Sequence, residues 1–214
     1  MKALDLFCGT KSFSNVAENI GYEVYSLDIE NKFNPTFCID ILDWNYKKFP
    51  VCFFDVIWAS PDCRSFSCMG GGKHRVKNDM TPKTDIAKKG DLILQKTIEI
   101  IKYFKPKLYC IENPRALMRY SKYIKELDPI INECSYCKYG YEYMKNTDIF
   151  SNKNLSLKKC FYKRKNVVND CPHITLQGSH KNRKRTGIQR VKREIAYRVP
   201  KKLIEDILSI KNIY

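Results

Sequence analysis

Residues 5–14 read Asp5-Leu6-Phe7-Cys8-Gly9-Thr10-Lys11-Ser12-Phe13-Ser14. The apolar run Ala3–Phe7 ends at a glycine turn, and a helical pattern follows. A strand that turns through glycine into a helix lets backbone amides approach a polar ligand closely. One glycine is not a full Gly-rich fingerprint, so the segment gains its meaning from what lies downstream. The same alternation continues there. Strands are predicted at Glu23–Asp28, Thr36–Ile39, Asp55–Ala59 and Lys107–Glu112, with helical segments between them. The clearest helix is Asp91–Phe104, whose Leu92, Ile93, Ile98, Ile101 and Phe104 fall largely on one face. Strand–helix alternation predicts an α/β fold with a parallel, doubly wound sheet. Ligands of such sheets bind beyond the carboxyl ends of the strands.

The bulk numbers narrow the partners. A chain of 214 residues suits one domain, with an apolar content of 43% and a charged content of 29%. Its net charge of +16 favours a polyanion, nucleic acid first. Much of that charge is concentrated. Residues 153–193 hold thirteen Lys or Arg against one acid, Asp170. No stretch is apolar enough to span a bilayer, and the run Ala3–Cys8 is too short for a secretory signal and carries Asp5. Several of the ten cysteines (Cys8, Cys52, Cys110) sit in apolar strand-like runs. That usage fits a reducing, intracellular compartment rather than a disulfide framework.

Polar residues follow each predicted strand. After the second comes Asp28-Ile29-Glu30, where an acid suits a ribose hydroxyl pair. After the third comes Asp40-Ile41, where a carboxylate could accept from an adenine amino group. The fourth leads into Ser60-Pro61-Asp62-Cys63-Arg64-Ser65-Phe66-Ser67. A cation beside a strand-end cysteine lowers the thiol's pKa and predicts Cys63 as a nucleophile. The fifth ends in Glu112-Asn113-Pro114. A carboxylate leaving a buried strand can act as a proton donor, so Cys63 and Glu112 would form a nucleophile and general-acid pair. Between the last two strands, Cys68–Gly90, with Gly70-Gly71-Gly72 and Pro82, reads as a long mobile loop.

Taken together these residues resemble one family, the cytosine carbon-5 methyltransferases. Asp5–Ser14 is similar to its first motif, Pro61–Ser67 to its Pro-Pro-Cys-Gln-x-Phe-Ser motif, and Glu112-Asn113 to its Glu-Asn motif. All three occur in the family's order over about the first 150 residues. The resemblance implies a Rossmann-like methyltransferase sheet and S-adenosylmethionine as cofactor. It also implies a flipped-out target base, attack of Cys63 on carbon 6 and support of ring nitrogen 3 by Glu112, with Asn113 beside it. Phe7, Gly9, Thr10, Ser12, Asp28, Ile29, Asp40, Ile41, Pro61 and Leu92 would line the cofactor site. Cys68–Gly90 corresponds to the loop that closes over the base.

The chain departs from the pattern in places. Asp62 stands where the family has a second proline and Arg64 where it has glutamine. The segment that usually carries Gln-x-Arg-x-Arg reads Met144-Lys145-Asn146-Thr147-Asp148, leaving Lys145 or Asn146 to meet the cytosine oxygen. This form is similar to small phage- and virus-type members. The expected organisation is a catalytic domain over 1–152, a basic target-recognition region over 153–193, and a C-terminal region over 194–214 whose helix, Lys201–Ile210, follows Pro200 and returns beside the first motif. In the recognition region Lys181, Arg183, Lys184, Arg185 and Arg190 would contact phosphates of double-stranded DNA, and Gln189 would approach a base edge. Cys137, Cys160, Cys171 and His173 could bind a structural zinc ion, with Cys134 able to replace Cys137. The protein is expected to act as a monomer on DNA. Two rivals keep the scaffold: a transfer-RNA cytosine-5 methyltransferase and a DNA-binding relative with impaired catalysis. An amino methyltransferase is disfavoured by the lack of an aromatic residue at Cys63 and by Glu112-Asn113.

Overall fold

The computed structural model describes residues 1–67, 71–76, 79–161 and 197–209. Their strands are β1 (Lys2–Leu6), β2 (Glu23–Asp28), β3 (Phe37–Cys38), β4 (Val56–Ala59), β5 (Leu108–Pro114), β6 (Ile130–Ser135) and β7 (Asn146–Ser151). They form a sheet of order β3-β2-β1-β4-β5-β7-β6. β1 to β5 are parallel, as the alternation predicts. The β6–β7 pair was not expected from the sequence, and β7 runs antiparallel to both β5 and β6. The reason is the connection. Only ten residues, 136–145, join β6 to β7. A parallel return needs a dozen or more, so the chain comes back antiparallel.

The helices are α1 (Ser12–Asn19), α2 (Gly71–His74), α3 (Asp85–Phe104), α4 (Lys122–Leu127) and α5 (Lys201–Ile207). They cover both faces of the sheet, and β4 is accordingly buried at all four positions. On one face Ala3, Val56 and Trp58 meet Phe13, Val16 and Ala17 of α1 and Leu203, Ile204 and Ile207 of α5. Phe13 stacks on Trp58 with ring centroids 5.3 Å apart. On the other face Leu4, Leu6 and Ile57 pack against Leu94, Ile98, Ile101 and Phe104 of α3.

Helix α3 starts earlier than its apolar pattern suggests, so the expected loop Cys68–Gly90 loses its last six residues to it. Thr84 caps the helix by accepting from the Ala87 amide, and Asp85 occupies the first turn. Such capping costs little sequence and leaves no apolar signature. Gly90, which reads as a loop glycine, sits inside the helix against the loop that follows β4. A Cβ there would lie 2.8 Å from Ser65 Oγ. Leu92 is also corrected. It is 53% exposed and lies off the apolar face that Ile98, Ile101 and Phe104 form. Among the described residues no helix is long and apolar enough to cross a membrane.

Candidate active site

A cavity of about 1220 Å³ opens at the carboxyl ends of the parallel strands. Each strand delivers its following loop to it. After β1 the backbone enters the left-handed region three times, at Phe7 (φ 63), Gly9 (φ 47) and Lys11 (φ 56). Such a conformation is strained for Phe7 and must be held by its surroundings. The Phe7 and Cys8 amides both donate to Leu27 O, at 2.8 and 3.1 Å. The turn therefore leans on β2, and it sets Phe7, Gly9, Thr10 and Ser12 on the cavity wall.

Asp28 is half of that brace. Its Oδ2 accepts from the Gly9 amide and its Oδ1 from the Glu30 amide, both at 2.9 Å. The carboxylate holds two loops together while still lining the cavity, and the exposed Glu30 lines it as well. Below them lies Asp5, which accepts from Ser14 Oγ at 2.6 Å. Burial pushes the Asp5 carboxyl up to about 7, and the nearby Asp28 charge adds to the rise while Ser14 opposes it. Asp40 bonds the Leu42 amide and pairs with Lys89 of α3 at 2.9 Å. The lysine outweighs partial burial and holds Asp40 below its ordinary range. Ile29, Ile39, Ile41 and Ile93 supply apolar surface between these acids. Leu92 is absent from the lining, and its neighbour Ile93 takes that place.

Cys63 and Pro61 line the same cavity. The turn after Cys63 is tight, with the Phe66 and Ser67 amides donating to Cys63 O at 3.0 and 2.8 Å. Two side chains brace it. Asn113 Nδ2 donates to Pro61 O at 3.0 Å. Arg75, 2% exposed, donates to Ser65 O at 3.0 Å, pairs with Asp91 at 2.7 Å and stacks over Phe66. Asn113 does not line the cavity, so it positions the loop rather than touching a ligand. Arg75 was not among the residues the sequence singled out; an arginine in a polar loop gives no sign that it will be buried.

The expected activation of Cys63 by Arg64 is corrected. Arg64 is held by Asp62, with Nε 2.6 Å from Oδ2. Burial and the Glu112 charge raise the Cys63 thiol, and the cation that opposes them is Lys145. The two departures from the family pattern, Asp62 and Arg64, thus pair with each other.

Glu112, 6% exposed, lies at the end of β5. Its Oε1 accepts from Tyr136 Oη at 2.8 Å and from Lys145 Nζ at 3.3 Å. Lys145 reaches this point because β7 is antiparallel. The residue before β7 then lies at the same end of the sheet as the residues that follow the parallel strands. Alternation along the strand separates the other candidate. Asn146 points away and accepts from Ser135 Oγ at 2.7 Å. Asp148 also points away and takes a two-pronged contact from Arg119. The last wall comes from Tyr197, Arg198 and Val199, with the Val199 amide donating to Ser12 Oγ at 3.3 Å.

Cys171, His173, Lys181, Arg183, Lys184, Arg185, Gln189 and Arg190 lie outside the described residues. Cys137 and Cys160 are half-buried, and Cys134 is buried in the core with the residues of β7 and α5. Among the described residues no three His, Cys, Asp or Glu side chains are grouped to hold a metal, so the suggested zinc has no support there.

A family model for C-5 cytosine-specific DNA methylases matches residues 1–204. The chain belongs to that family. It is 31% identical over 229 residues to a protein of Frog virus 3 (isolate Goorha) described as a probable DNA (cytosine-5)-methyltransferase. That match covers 98% of this chain and 100% of the relative. Among solved structures it is similar to the Entamoeba histolytica methyltransferase EhMeth, with a TM-score of 0.55 and 18% identity over 79% of this chain. A prophage-encoded protein of E. coli matches with a TM-score of 0.50 and 16% identity over 71% of this chain. The chain spans 61% and 46% of these two structures, which share its Rossmann-like fold.

Methyltransferases of this family use S-adenosylmethionine, and the residues present fit it. Asp28 at the end of β2, Glu30 just after it and Asp40 after β3 suit an adenosine and a sulfonium cation, and the isoleucines between them suit the adenine ring. The cavity exceeds the ~300–1,000 Å³ usual for one small ligand. It therefore has room for a base beside the cofactor.

Proposed function

We propose that the protein methylates carbon 5 of cytosine in double-stranded DNA, with Cys63 as covalent nucleophile. One observation supports this reading above others: Cys63 and Glu112 line a single cavity with the carboxylates Asp28, Glu30 and Asp40. Phe7, Gly9, Thr10, Ser12, Asp28, Ile29, Glu30, Asp40, Ile41, Pro61 and Ile93 would hold the cofactor, which supplies an electrophilic methyl group. Cys63 forms a bond from Sγ to carbon 6 of the flipped cytosine. Glu112 supplies the proton that ring nitrogen 3 gains, so the ring electrons can gather at carbon 5. Once carbon 5 is methylated its proton passes to solvent, and the C–H electrons re-form the double bond between carbons 5 and 6. The Sγ–carbon 6 bond breaks with its pair returning to Cys63 as thiolate, and nitrogen 3 returns its proton to Glu112.

Residues 153–193, with their excess of Lys and Arg, would meet the phosphate backbone. The protein would act as a monomer, inside the cell where its substrate lies.

Duplex DNA carrying 5-fluorocytosine tests this. The wild type should form a stable covalent adduct in the presence of S-adenosylmethionine. Cys63→Ser should lose the adduct, and methyl transfer should fall on the order of 10³-fold or more. An adduct that survives the substitution overturns the nucleophile. Methyl transfer to transfer RNA in preference to duplex DNA overturns the substrate.

A further inference from the structure

The cytosine-facing carboxylate is held in a way that neither the family pattern nor the sequence reading assigns. Tyr136 lies in the turn just after β6 and is fully buried. A buried phenol must find hydrogen-bond partners. This one donates to Glu112 Oε1 at 2.8 Å. Lys145 Nζ contacts the same Oε1 at 3.3 Å and lies 4.7 Å from the centroid of the Tyr136 ring. The hairpin enforces this meeting, because the Tyr136 amide donates to Lys145 O at 3.1 Å. Tyr141 packs edge-on against the Tyr136 ring at 5.6 Å and limits its movement.

We propose that Tyr136 is a positioning residue for the reaction: with Lys145 it pins Glu112 by one oxygen and leaves the other to face the base. The inference rests on the function proposed above. The terminal torsion of a glutamate is broad and roughly two-fold. Two donors converging on Oε1 fix it, and Oε2 has no partner among the described residues. The arrangement also answers the missing arginine. An arginine fork offers donors in two fixed directions, whereas lysine is a point charge on a flexible stem. Here Lys145 supplies the charge and Tyr136 supplies the second direction.

Tyr136→Phe deletes the hydroxyl and keeps the ring, and it is assayed beside the wild type on duplex DNA. The turnover rate should fall on the order of tenfold, as for loss of a hydrogen bond to a charged group. The KM for S-adenosylmethionine should stay within about twofold, since the cofactor wall is untouched. Adding Lys145→Arg to Tyr136→Phe should restore part of the rate. An unchanged turnover rate overturns the inference, and so does a fall in rate matched by a rise in the KM for S-adenosylmethionine. So does a double variant no faster than Tyr136→Phe alone. A wild type that forms no adduct with 5-fluorocytosine DNA overturns the proposed function, and this inference with it. An active wild type matched by Tyr136→Phe overturns this inference alone.

Discussion

The two walls of the cavity are built in opposite ways. The wall proposed to hold the cofactor is made of backbone: turns after β1 and β2 with left-handed residues at Phe7, Gly9 and Lys11, tied together by Asp28. The wall proposed to face the base is made of side chains. Cys63 stands on a loop braced by Asn113 and Arg75, and Glu112 is held by Tyr136 and Lys145. A backbone wall depends on local conformation, and a few contiguous residues can encode it. A side-chain wall depends on strands that meet from distant parts of the chain. The first should fail one ligand at a time, whereas the second should fail as a unit.

The strongest way to break this contrast is through Arg75. Its guanidinium is buried and paired with Asp91 while it holds Ser65 and stacks on Phe66. Arg75→Ala leaves the half-buried Asp91 carboxylate uncompensated and removes the packing on Phe66, and should cost about 3 kcal/mol in chemical denaturation. Adduct formation should fall with it. A loss below about 1 kcal/mol would show that the catalytic loop does not hang on this residue.

Asp5 sharpens the contrast through pH. Its carboxyl is raised to about 7 in the folded protein, chiefly by burial. Between about pH 4 and pH 7 the folded state keeps a proton that the unfolded chain releases. Stability from this group is therefore full below about pH 4 and is lost as pH rises through about 7. Asp5→Asn should flatten that fall, by a few kcal/mol at most, and leave a protein more stable than the wild type at pH 8. Thermal melts from pH 5 to pH 8 measure it, and parallel curves for the two proteins would remove Asp5 as the cause.

The smallest expected effect is specific to the cofactor wall. Asp28→Ala frees the Gly9 and Glu30 amides and should weaken S-adenosylmethionine binding about tenfold in calorimetry, near 1.4 kcal/mol. Melting in the absence of cofactor should change less than it does for Arg75→Ala. Equal losses in both would mean that the walls are not independent.

The same contrast explains what could be read in advance. β1 to β5 alternate with helices in a contiguous pattern, and the strand-end residues Asp28, Asp40, Cys63 and Glu112 all reach the cavity. The hairpin β6–β7 was hidden. Its second strand, Asn146–Ser151, begins within a segment that reads as a recognition motif, and Cys134 in β6 reads as a metal ligand. Its pairing is set by a short connection rather than by composition. Tyr136 was invisible for the same reason, since its partners depend on where β7 returns. Arg64 misled because proximity in sequence is not proximity of charge; Asp62 takes it up, and Lys145 acts on Cys63 from another strand. Leu92 fits the heptad-like apolar spacing, yet it lies beyond the edge of the buried stripe.

The bond from the Val199 amide to Ser12 Oγ spans 187 positions. On a ribosome working at about 5–20 residues per second, roughly ten to forty seconds separate the synthesis of its two ends. Through that interval α1 waits with Phe13, Val16 and Ala17 lacking the cover that α5 later gives them. α1, made before α5, is thus finished only when α5 docks on it. A nascent chain would present the turn after β1 early but would acquire the Tyr197–Val199 wall only afterwards, so the cavity would be completed in a single docking step long after its first wall is made.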